Sequence, residues 1–220
     1  SAVEEGRNIF NNIKKSILFL LSCNLGEVVA LFVAILLNWA APLLPIHILW
    51  VNLITDSFPA LSLGVDPGDK GVMELPPRNP KESLFAGRMG KLLILNGILI
   101  GANTLFAFVL GEYLYPDSLR HAQTMAFVVL SVSQLFYSLA MRNETKSLFQ
   151  VGVFKNKWLI GSVLLGILLQ LAIITIPFTA SVFKVYPLTL TDWGIVILIS
   201  LIPFVINEII KIFFRMKDKK

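Results

Sequence analysis

The chain has 220 residues, of which 55% are hydrophobic and only 15% are charged. Soluble domains carry about 25% charged residues, so this composition excludes an ordinary soluble domain and indicates a protein of the lipid bilayer. The net charge of +5 is accompanied by no RNA-binding motif and no basic residues interleaved with exposed aromatic ones, which argues against a nucleic-acid partner. The single cysteine, Cys23, allows no disulfide within the chain and no cysteine-based metal motif.

Six apolar stretches recur along the chain, and each is close to the roughly 20 residues that cross the hydrocarbon core as a helix. They predict an all-α fold, a polytopic membrane bundle of six transmembrane helices. The predicted spans are residues 16–38, 47–63, 89–110, 122–141, 158–176 and 191–214. A polar helical stretch at 8–15 precedes the first span. A long polar segment at 64–88 follows the second, and its proline-rich run at 76–80 breaks any helix.

Lysine and arginine are distributed unevenly between the two ends of these spans. Of the 19, all but Arg120 and Lys184 lie in the N-terminal stretch, the second and fourth connections, the adjoining span ends and the C-terminal tail. Cytoplasmic loops of membrane proteins carry an excess of Lys and Arg. The distribution therefore predicts that both termini are cytoplasmic.

Two acidic residues lie near the middle of predicted spans, Glu27 in the first and Asp56 in the second. Each costs about 2.5–3.5 kcal/mol at the bilayer centre on insertion scales, so such groups normally face a protein interior or a water-filled path and find a partner. The helical period places Asn24 on the face of Glu27, and Asn52 and Thr55 on the face of Asp56. A short turn joins the two spans, which predicts antiparallel neighbours whose polar faces both point inward.

The side chains on these two faces offer only oxygen ligands, since neither histidine nor cysteine is among them. Such a set suits a hard cation such as Ca²⁺, which takes 6–8 oxygens, and disfavours zinc or copper. Pro59, just after Asp56, cannot donate a backbone hydrogen bond and is expected to loosen the helix and free carbonyls. A hydrogen-bonded cluster that only joins helices is the simpler interpretation for Asn and Thr. The two central acids favour ion binding instead.

Further amide side chains lie inside the predicted spans. Gln134, flanked by three serines in the fourth span, either completes the coordination shell or makes a packing hydrogen bond, and the sequence favours neither. Asn96, Asn103 and Gln170 have no constellation of polar residues around them. We therefore predict that these three make packing hydrogen bonds between helices.

Four segments resemble P-type ATPases of the calcium-pump branch. Residues 4–12 and 24–29 resemble the fifth membrane helix and its entry, Leu49–Asp56 resembles the sixth helix, and 76–81 resemble the cytoplasmic loop that follows. The match covers essentially the whole chain. It is specific at Asn52, where sodium/potassium pumps typically carry Asp. By this resemblance the chain corresponds to the fifth to tenth helices of a sarco/endoplasmic-reticulum-like calcium ATPase.

The resemblance also implies a set of ligands for Ca²⁺. The implied metal ligands are Asn24, Glu27, Asn52, Thr55, Asp56 and Gln134. Asp56 matches the residue that the two calcium sites of the family share. Gln134 stands where the two-site animal pump has Glu, and the change keeps an oxygen but removes a charge. Whether one or two ions bind in each cycle is therefore left open.

The function implied by the resemblance is the cation-binding transmembrane half of an ATP-driven pump, a translocase that moves Ca²⁺ out of the cytoplasm. Residues 1–15 are the expected cytoplasmic entry, 16–214 the transmembrane transport domain and 215–220 a basic tail. The sequence holds no Asp-Lys-Thr-Gly-Thr phosphorylation motif and no Thr-Gly-Glu-Ser motif. We therefore expect a fragment that is not catalytic by itself, cut where the first helix enters the phosphorylation domain.

The expected partners are the lipid bilayer and the rest of the pump, its N-terminal helices and cytoplasmic domains. ATP and Mg²⁺ are expected only in those domains. The expected location is the plasma membrane for a bacterial protein and an endoplasmic-reticulum-type membrane for a eukaryotic one.

Other functions fit the same carboxylates. A stand-alone channel or ion-coupled carrier would move Ca²⁺ without nucleotide, although no internal repeat supports an inverted-repeat carrier. A membrane scaffold that transports nothing would tolerate Glu27→Gln or Asp56→Asn. Within the pump interpretation, Mn²⁺ is a candidate co-substrate beside Ca²⁺, because it also accepts oxygen ligands.

Overall fold

A computed structural model of the chain describes residues 2–68, 72–73, 85 and 88–218. The proline-rich run at 76–80 and the last two residues of the basic tail lie outside the described residues. Within the described ranges every regular element is helical, which confirms the predicted all-α class.

The α-helices of the described part are α1 (Ala2–Leu36), α2 (Pro45–Trp50), α3 (Ser57–Gly64), α4 (Arg88–Leu114), α5 (Leu119–Ala140), α6 (Leu148–Val151), α7 (Lys157–Thr175), α8 (Pro177–Phe183) and α9 (Leu190–Asp218). A π-helical turn, Val51–Asp56, joins α2 to α3, and a 3₁₀ turn, Val153–Lys155, precedes α7. Six segments are long and apolar enough to cross a membrane, and they confirm the six predicted spans. The second of them is Pro45–Gly64, formed by α2, the π-turn and α3 together.

Two helices differ from the predicted boundaries. The polar stretch and the first span form one continuous helix, α1, because no proline interrupts residues 2–36. The connection between the fifth and sixth spans contains α8, which Pro177 starts at its first position, where a missing N–H costs nothing.

The fourth span, α5, lies at the centre of the bundle. Its residues 121–135 are all buried, and it packs against α4, α7, α9 and the π-turn. A helix surrounded by other helices can carry polar side chains on several faces, provided that each side chain finds a partner on a neighbour. The serines and glutamine of α5 are therefore placed to act between helices.

Glycines bring α1 and α4 close together just before Glu27. A Cβ atom on Gly101 would lie 2.8 Å from the carbonyl oxygen of Gly26, and one on Gly97 would lie 2.5 Å from the side chain of Leu25. Gly97 and Gly101 form the small-xxx-small pattern that lets two membrane helices approach closely. This contact fixes the position of α1, and therefore that of Glu27, against α4.

Asn96 and Asn103 join α4 to α9. Pro203 has no N–H to donate to the carbonyl of Ile199, and Nδ2 of Asn103 donates to that carbonyl at 2.9 Å. Asn96 and Asn207 donate to each other at 3.2 and 2.6 Å. The prediction that Asn96 and Asn103 make packing hydrogen bonds is confirmed.

A buried charged cluster lies at the end of the bundle where α1 and α7 begin and α3 and α5 end. Oδ1 of Asp66 accepts hydrogen bonds from Arg142 Nε at 3.0 Å and Asn156 Nδ2 at 2.7 Å, while Lys15 Nζ lies 3.6 Å from Oδ2. Asn12 Nδ2 donates to the backbone carbonyl of Asp66 at 2.7 Å. We call these five residues the Asp66 cluster; it joins the ends of four spans.

A second polar cluster lies at the opposite end, between the α4–α5 connection and the start of α9. Asp192 accepts hydrogen bonds from Tyr115 OH at 3.0 Å and Thr189 Oγ1 at 2.8 Å, and His121 Nε2 lies 3.2 Å from its carboxylate. The hydrogen bond to Asp192 raises the pKa of Tyr115, because an ionised phenol would face the carboxylate. The two clusters tie the spans together at both ends.

Candidate metal centre

Glu27 and Asp56 are both buried inside the bundle, with 4% and 0% of their surface exposed. The α1 helix carries Glu27, and the π-turn carries Asn52, Thr55 and Asp56. Asn52 of the π-turn reaches the carboxylate of Glu27, so the π-turn that carries Asp56 lies against this part of α1. The first two spans therefore turn their acidic faces toward each other, as the sequence predicts.

Glu27 is held by amide groups from two other spans. Asn52 Nδ2 donates to Oε2 of Glu27 at 2.9 Å and also to the carbonyl of Ile48 at 2.9 Å. Gln134 Nε2 approaches Oε1 of Glu27 at 3.4 Å, which is a long hydrogen bond. One carboxylate thus joins the first, second and fourth spans.

Asp56 has the opposite surroundings. Among the described residues neither of its carboxylate oxygens has a hydrogen-bond partner, although the thiol of Cys23 lies close to it. The hydroxyl of its neighbour Thr55 is buried and donates to the carbonyl of Val51 at 3.1 Å. A buried carboxylate without partners is costly, and native structures contain few such groups. Asp56 is therefore the residue of this group whose polar atoms most require a partner.

The π-turn gives this part of the second span an irregular backbone. π-helical turns are rare and are frequently found at functional sites. The hydroxyl of Ser57 donates to the carbonyl of Asn52, five residues earlier, at 2.8 Å. Pro59 removes the N–H that would bond to the carbonyl of Thr55 in a regular α-helix. The expected irregularity is confirmed and lies on the N-terminal side of Pro59, next to both acids.

Gln134 and Gln170 have different surroundings, although both are buried amides. Gln134 contacts Glu27, and its Oε1 has no hydrogen-bond partner in the part of the chain that the structure describes. Oε1 of Gln170 accepts a hydrogen bond from Trp50 Nε1 at 3.2 Å, which confirms its predicted packing role. The structure therefore brings Gln134 to Glu27 and leaves Gln170 between α7 and α2.

Asn24 is not brought into this group. It is exposed, and the structure gives it no hydrogen bond to any described residue, even though it lies one turn before Glu27 on α1. Residues three apart on a helix differ in direction by about 60°, which is enough to turn one side chain inward and the other outward. Coordination by Asn24 stays a prediction.

The site rests on few charges. Within the described ranges no three His, Cys, Asp or Glu residues lie together as a metal-binding group. Two carboxylates and neutral amide, hydroxyl and carbonyl oxygens make up the available ligands, and these are the ligands that hard cations accept.

The short hydrophobic sequence of the second span gives no clear signal for the π-turn, whereas the pattern Gly97-x-x-x-Gly101 signals the close α1–α4 contact.

The family described as cation-transporting ATPase, C-terminus, matches residues 40–213. The chain belongs to this family. It is 59% identical to calcium-transporting ATPase 1 of Bacillus cereus over 96% of its own length, and 44% identical to a calcium-transporting ATPase of Bacillus subtilis over 92%. It is 34% identical over 98% of its length to calcium-transporting ATPase 3, endoplasmic reticulum-type, of Arabidopsis thaliana.

The chain spans about a quarter of the length of these relatives, 25%, 23% and 24% respectively. Membership of the cation-transporting ATPases confirms the family resemblance that the segments around Glu27 and Asp56 indicate. Together with the six spans, it identifies an integral multi-pass membrane protein.

Proposed function

We propose that this chain is the cation-binding transmembrane region of an ATP-driven Ca²⁺ pump, and that Glu27 and Asp56 bind the transported ion. The observation that carries the proposal is the carboxylate of Asp56, which is buried in the π-turn that contacts Glu27 through Asn52 and has no hydrogen-bond partner among the described residues. The carboxylate, amide and hydroxyl oxygens of these residues suit Ca²⁺. The names of the relatives, all calcium-transporting ATPases, support the same ion.

Each residue of the site has a separate task in this proposal. The cation offsets the cost of keeping two carboxylates buried close together. Asn52 and Gln134 direct their N–H groups at Glu27. To coordinate the cation, each amide therefore has to rotate and present its oxygen instead. Thr55 and Asn24 supply further oxygens. Thr55 exchanges its hydrogen bond to the carbonyl of Val51 for the cation, and the exposed side chain of Asn24 turns inward.

The Asp66 cluster marks the cytoplasmic end in this proposal, because that end holds most of the Lys and Arg residues. Both termini are then cytoplasmic, with 1–15 as the entry from the cytoplasmic domains, 16–214 as the transport domain and 215–220 as the tail. ATP and Mg²⁺ act in the remaining domains of the pump. The higher identity to the Bacillus proteins favours the plasma membrane over an endoplasmic-reticulum-type membrane.

The continuous helix α1 supplies the mechanical link in this proposal. It runs without a break from Ala2 to Leu36 and carries Glu27 in its second half. A tilt imposed on its first turns by a phosphorylated domain therefore moves Glu27 relative to the π-turn, which changes the distance between Glu27 and Asp56.

The test is Ca²⁺-dependent phosphoenzyme formation from ATP in the intact pump. We expect Asp56→Asn to abolish it, because the variant loses a charged ligand, and we expect the exposed Asp117→Asn to leave it unchanged. Phosphorylation by inorganic phosphate without Ca²⁺ shows that each variant is folded. An Asp56→Asn pump with normal Ca²⁺ dependence contradicts the proposal, and rapid Ca²⁺ uptake by the intact protein in liposomes without ATP favours a channel or carrier.

A further inference from the structure

Five buried side-chain nitrogen and oxygen atoms have no hydrogen-bond partner in the described part of the chain. Three of them are the carboxylate oxygens of Asp56 and Oε1 of Gln134, both residues of the proposed cation site, and a fourth is Nε2 of Gln170. The fifth is the hydroxyl of Ser131, whose exposed fraction is 0%. Because native structures leave few buried polar atoms unpaired, the Ser131 hydroxyl requires an explanation.

A serine inside a helix has a partner available in its own backbone, the carbonyl four residues earlier. Buried serines of other spans use it. The hydroxyls of Ser22, Ser62 and Ser200 donate to the carbonyls four residues before them at 2.8, 2.8 and 2.6 Å. Ser131 does not, so its two lone pairs and its proton are all available to a neighbour.

The direction of Ser131 follows from the residues above and below it on α5. Phe127, Ser131 and Gln134 are spaced i, i+4 and i+7, which places them in one stripe along the helix. The ring of Phe127 stacks on His47 of α2 with 4.3 Å between centroids, and Gln134 contacts Glu27. Ser131 lies between these two contacts and therefore faces the region where the first and second spans meet.

The depth of Ser131 follows from the same stacking. The second and fourth spans run in the same direction, since one span separates them along the chain. Ser131 lies four residues after Phe127, and Val51, the first residue of the π-turn, lies four residues after His47. At 1.5 Å per residue the two steps are equal, so Ser131 is level with the start of the π-turn.

We propose that Ser131 is a further ligand of the transported cation, which it coordinates through its hydroxyl oxygen. This inference rests on the proposed function of the site. With Gln134, Ser131 gives α5 two neutral oxygens on one face. These two oxygens take the place of the single carboxylate that the family resemblance implies at position 134. Hard cations accept a hydroxyl oxygen in a shell of 6–8 ligands.

The experiment measures the Ca²⁺ concentration that gives half-maximal phosphoenzyme formation from ATP in the intact pump. We expect Ser131→Ala to raise that concentration roughly tenfold, the loss of one interaction with a charged partner. The matched control is Ser138→Ala on the same helix. Ser138 is equally buried, but its hydroxyl already donates to the carbonyl of Leu135 at 2.6 Å, so we expect a change of less than about twofold.

A second pair of variants separates a ligand from a residue that only packs. Ser131→Cys replaces a hard oxygen with a soft sulfur of similar shape, and soft ligands favour soft metals. We expect the concentration of Cd²⁺ that inhibits Ca²⁺-dependent phosphoenzyme formation to fall at least tenfold in Ser131→Cys, relative to both the unmodified pump and Ser138→Cys. The unmodified pump is the baseline for any Cd²⁺ that the native thiol of Cys23 binds.

Asp56→Asn, measured in parallel, distinguishes the two levels of failure. If Asp56→Asn retains normal Ca²⁺ dependence, the proposed function is wrong and Ser131 has no cation site to join. If Asp56→Asn loses Ca²⁺ dependence while the Ser131 variants behave like the Ser138 variants toward Ca²⁺ and Cd²⁺, the role of Ser131 alone is overturned.

Discussion

Glu27 and Asp56 are both buried acids, yet their surroundings are different. Glu27 accepts hydrogen bonds from two carboxamides, whereas Asp56 has no hydrogen-bond partner among the described residues. Hydrogen bonds to a carboxylate stabilise it without a metal, so in the proposed cation site Glu27 is less dependent on the ion than Asp56. At the scale of single residues, the chemistry of the site therefore depends on which oxygens lack hydrogen-bond partners. These oxygens belong to Asp56, which is charged, and to Gln134, which is neutral.

Gln134→Glu places a third carboxylate beside Glu27. The new carboxylate and that of Glu27 repel each other unless a cation lies between them. We therefore expect the number of Ca²⁺ ions bound per pump at saturation to rise. Equilibrium Ca²⁺ counting on the intact pump measures this number.

Gln170→Glu is the matched control for that variant. Gln170 is also a buried amide, and its Oε1 bond from Trp50 survives the change to Glu, but it lies outside the site. We expect it to leave the ion count unchanged. An unchanged count in Gln134→Glu would mean that a third charge at this position does not create capacity for another ion.

At the scale of helices, the site depends on two local departures from ordinary packing. The π-turn interrupts the second span where Asn52, Thr55 and Asp56 lie. The glycine contact brings α4 against α1 in the turn before Glu27, so that backbone rather than side chains sets the distance. Both features involve few residues, and each positions one of the two acids.

Gly101→Ala tests the contact between α1 and α4. The new Cβ would lie 2.8 Å from the carbonyl oxygen of Gly26, and a backbone atom cannot move aside as a side chain can. We expect a loss of about 1–3 kcal/mol of stability, the usual cost of overpacking, seen as a lower thermal unfolding temperature in detergent. Because Gly26 precedes Glu27, we also expect weaker Ca²⁺ binding.

Gly161→Ala is the control for Gly101→Ala. Gly161 also lies inside a membrane-spanning helix, but a Cβ on it would meet no described atom within 4 Å. We expect its unfolding temperature to be unchanged or slightly higher, since Ala favours the helix over Gly. Equal effects of the two substitutions would show that close approach at Gly101 does not determine the packing of α1.

At the scale of the whole molecule, the Asp66 cluster joins spans that carry different parts of the site. It connects the start of α1, the end of α3, the residues after α5 and the residue before α7. The same spans carry Glu27, Asp56 and Gln134 deeper in the bundle. A buried ion pair therefore joins, at their common end, the spans that carry these three residues.

Arg142→Met tests this cluster. It leaves the Asp66 carboxylate buried with Asn156 and the more distant Lys15, and breaking a buried ion pair by removing one partner costs about 3–5 kcal/mol. We expect a clearly lower unfolding temperature of the intact pump. The exposed Lys146→Met, four residues along the chain, is expected to have little effect.

The triple variant Lys15→Met, Asp66→Leu, Arg142→Met identifies the cause. If the loss in Arg142→Met comes from the weakened pairing of the buried Asp66 charge, removing all three charges of the cluster restores much of the stability, as with other buried ion pairs. A triple variant as unstable as Arg142→Met alone would show that the side chain of Arg142 acts through packing or through its bond to the carbonyl of Gly152 instead.

The sequence by itself determined the class of protein, the number of spans and the two acids of the candidate site. These properties are local: a bilayer requires about 20 apolar residues for each helix, and a charge within such a stretch is visible without knowledge of any neighbour. The packing roles of Asn96, Asn103 and Gln170 were predictable for the same reason, since a polar side chain in a membrane helix needs a partner.

Only the tertiary structure decided which polar atoms meet. The rotation of α1 that buries Glu27 and exposes Asn24, the contact of Gln134 with Glu27 and the joining of Asp66 to Arg142 depend on how separate helices pack. The π-turn differs from an α-helix by one residue in its hydrogen-bond spacing, which hydrophobic periodicity does not resolve over six residues. Periodicity fixes the face of a helix, whereas contacts between helices select the partner of each side chain on that face.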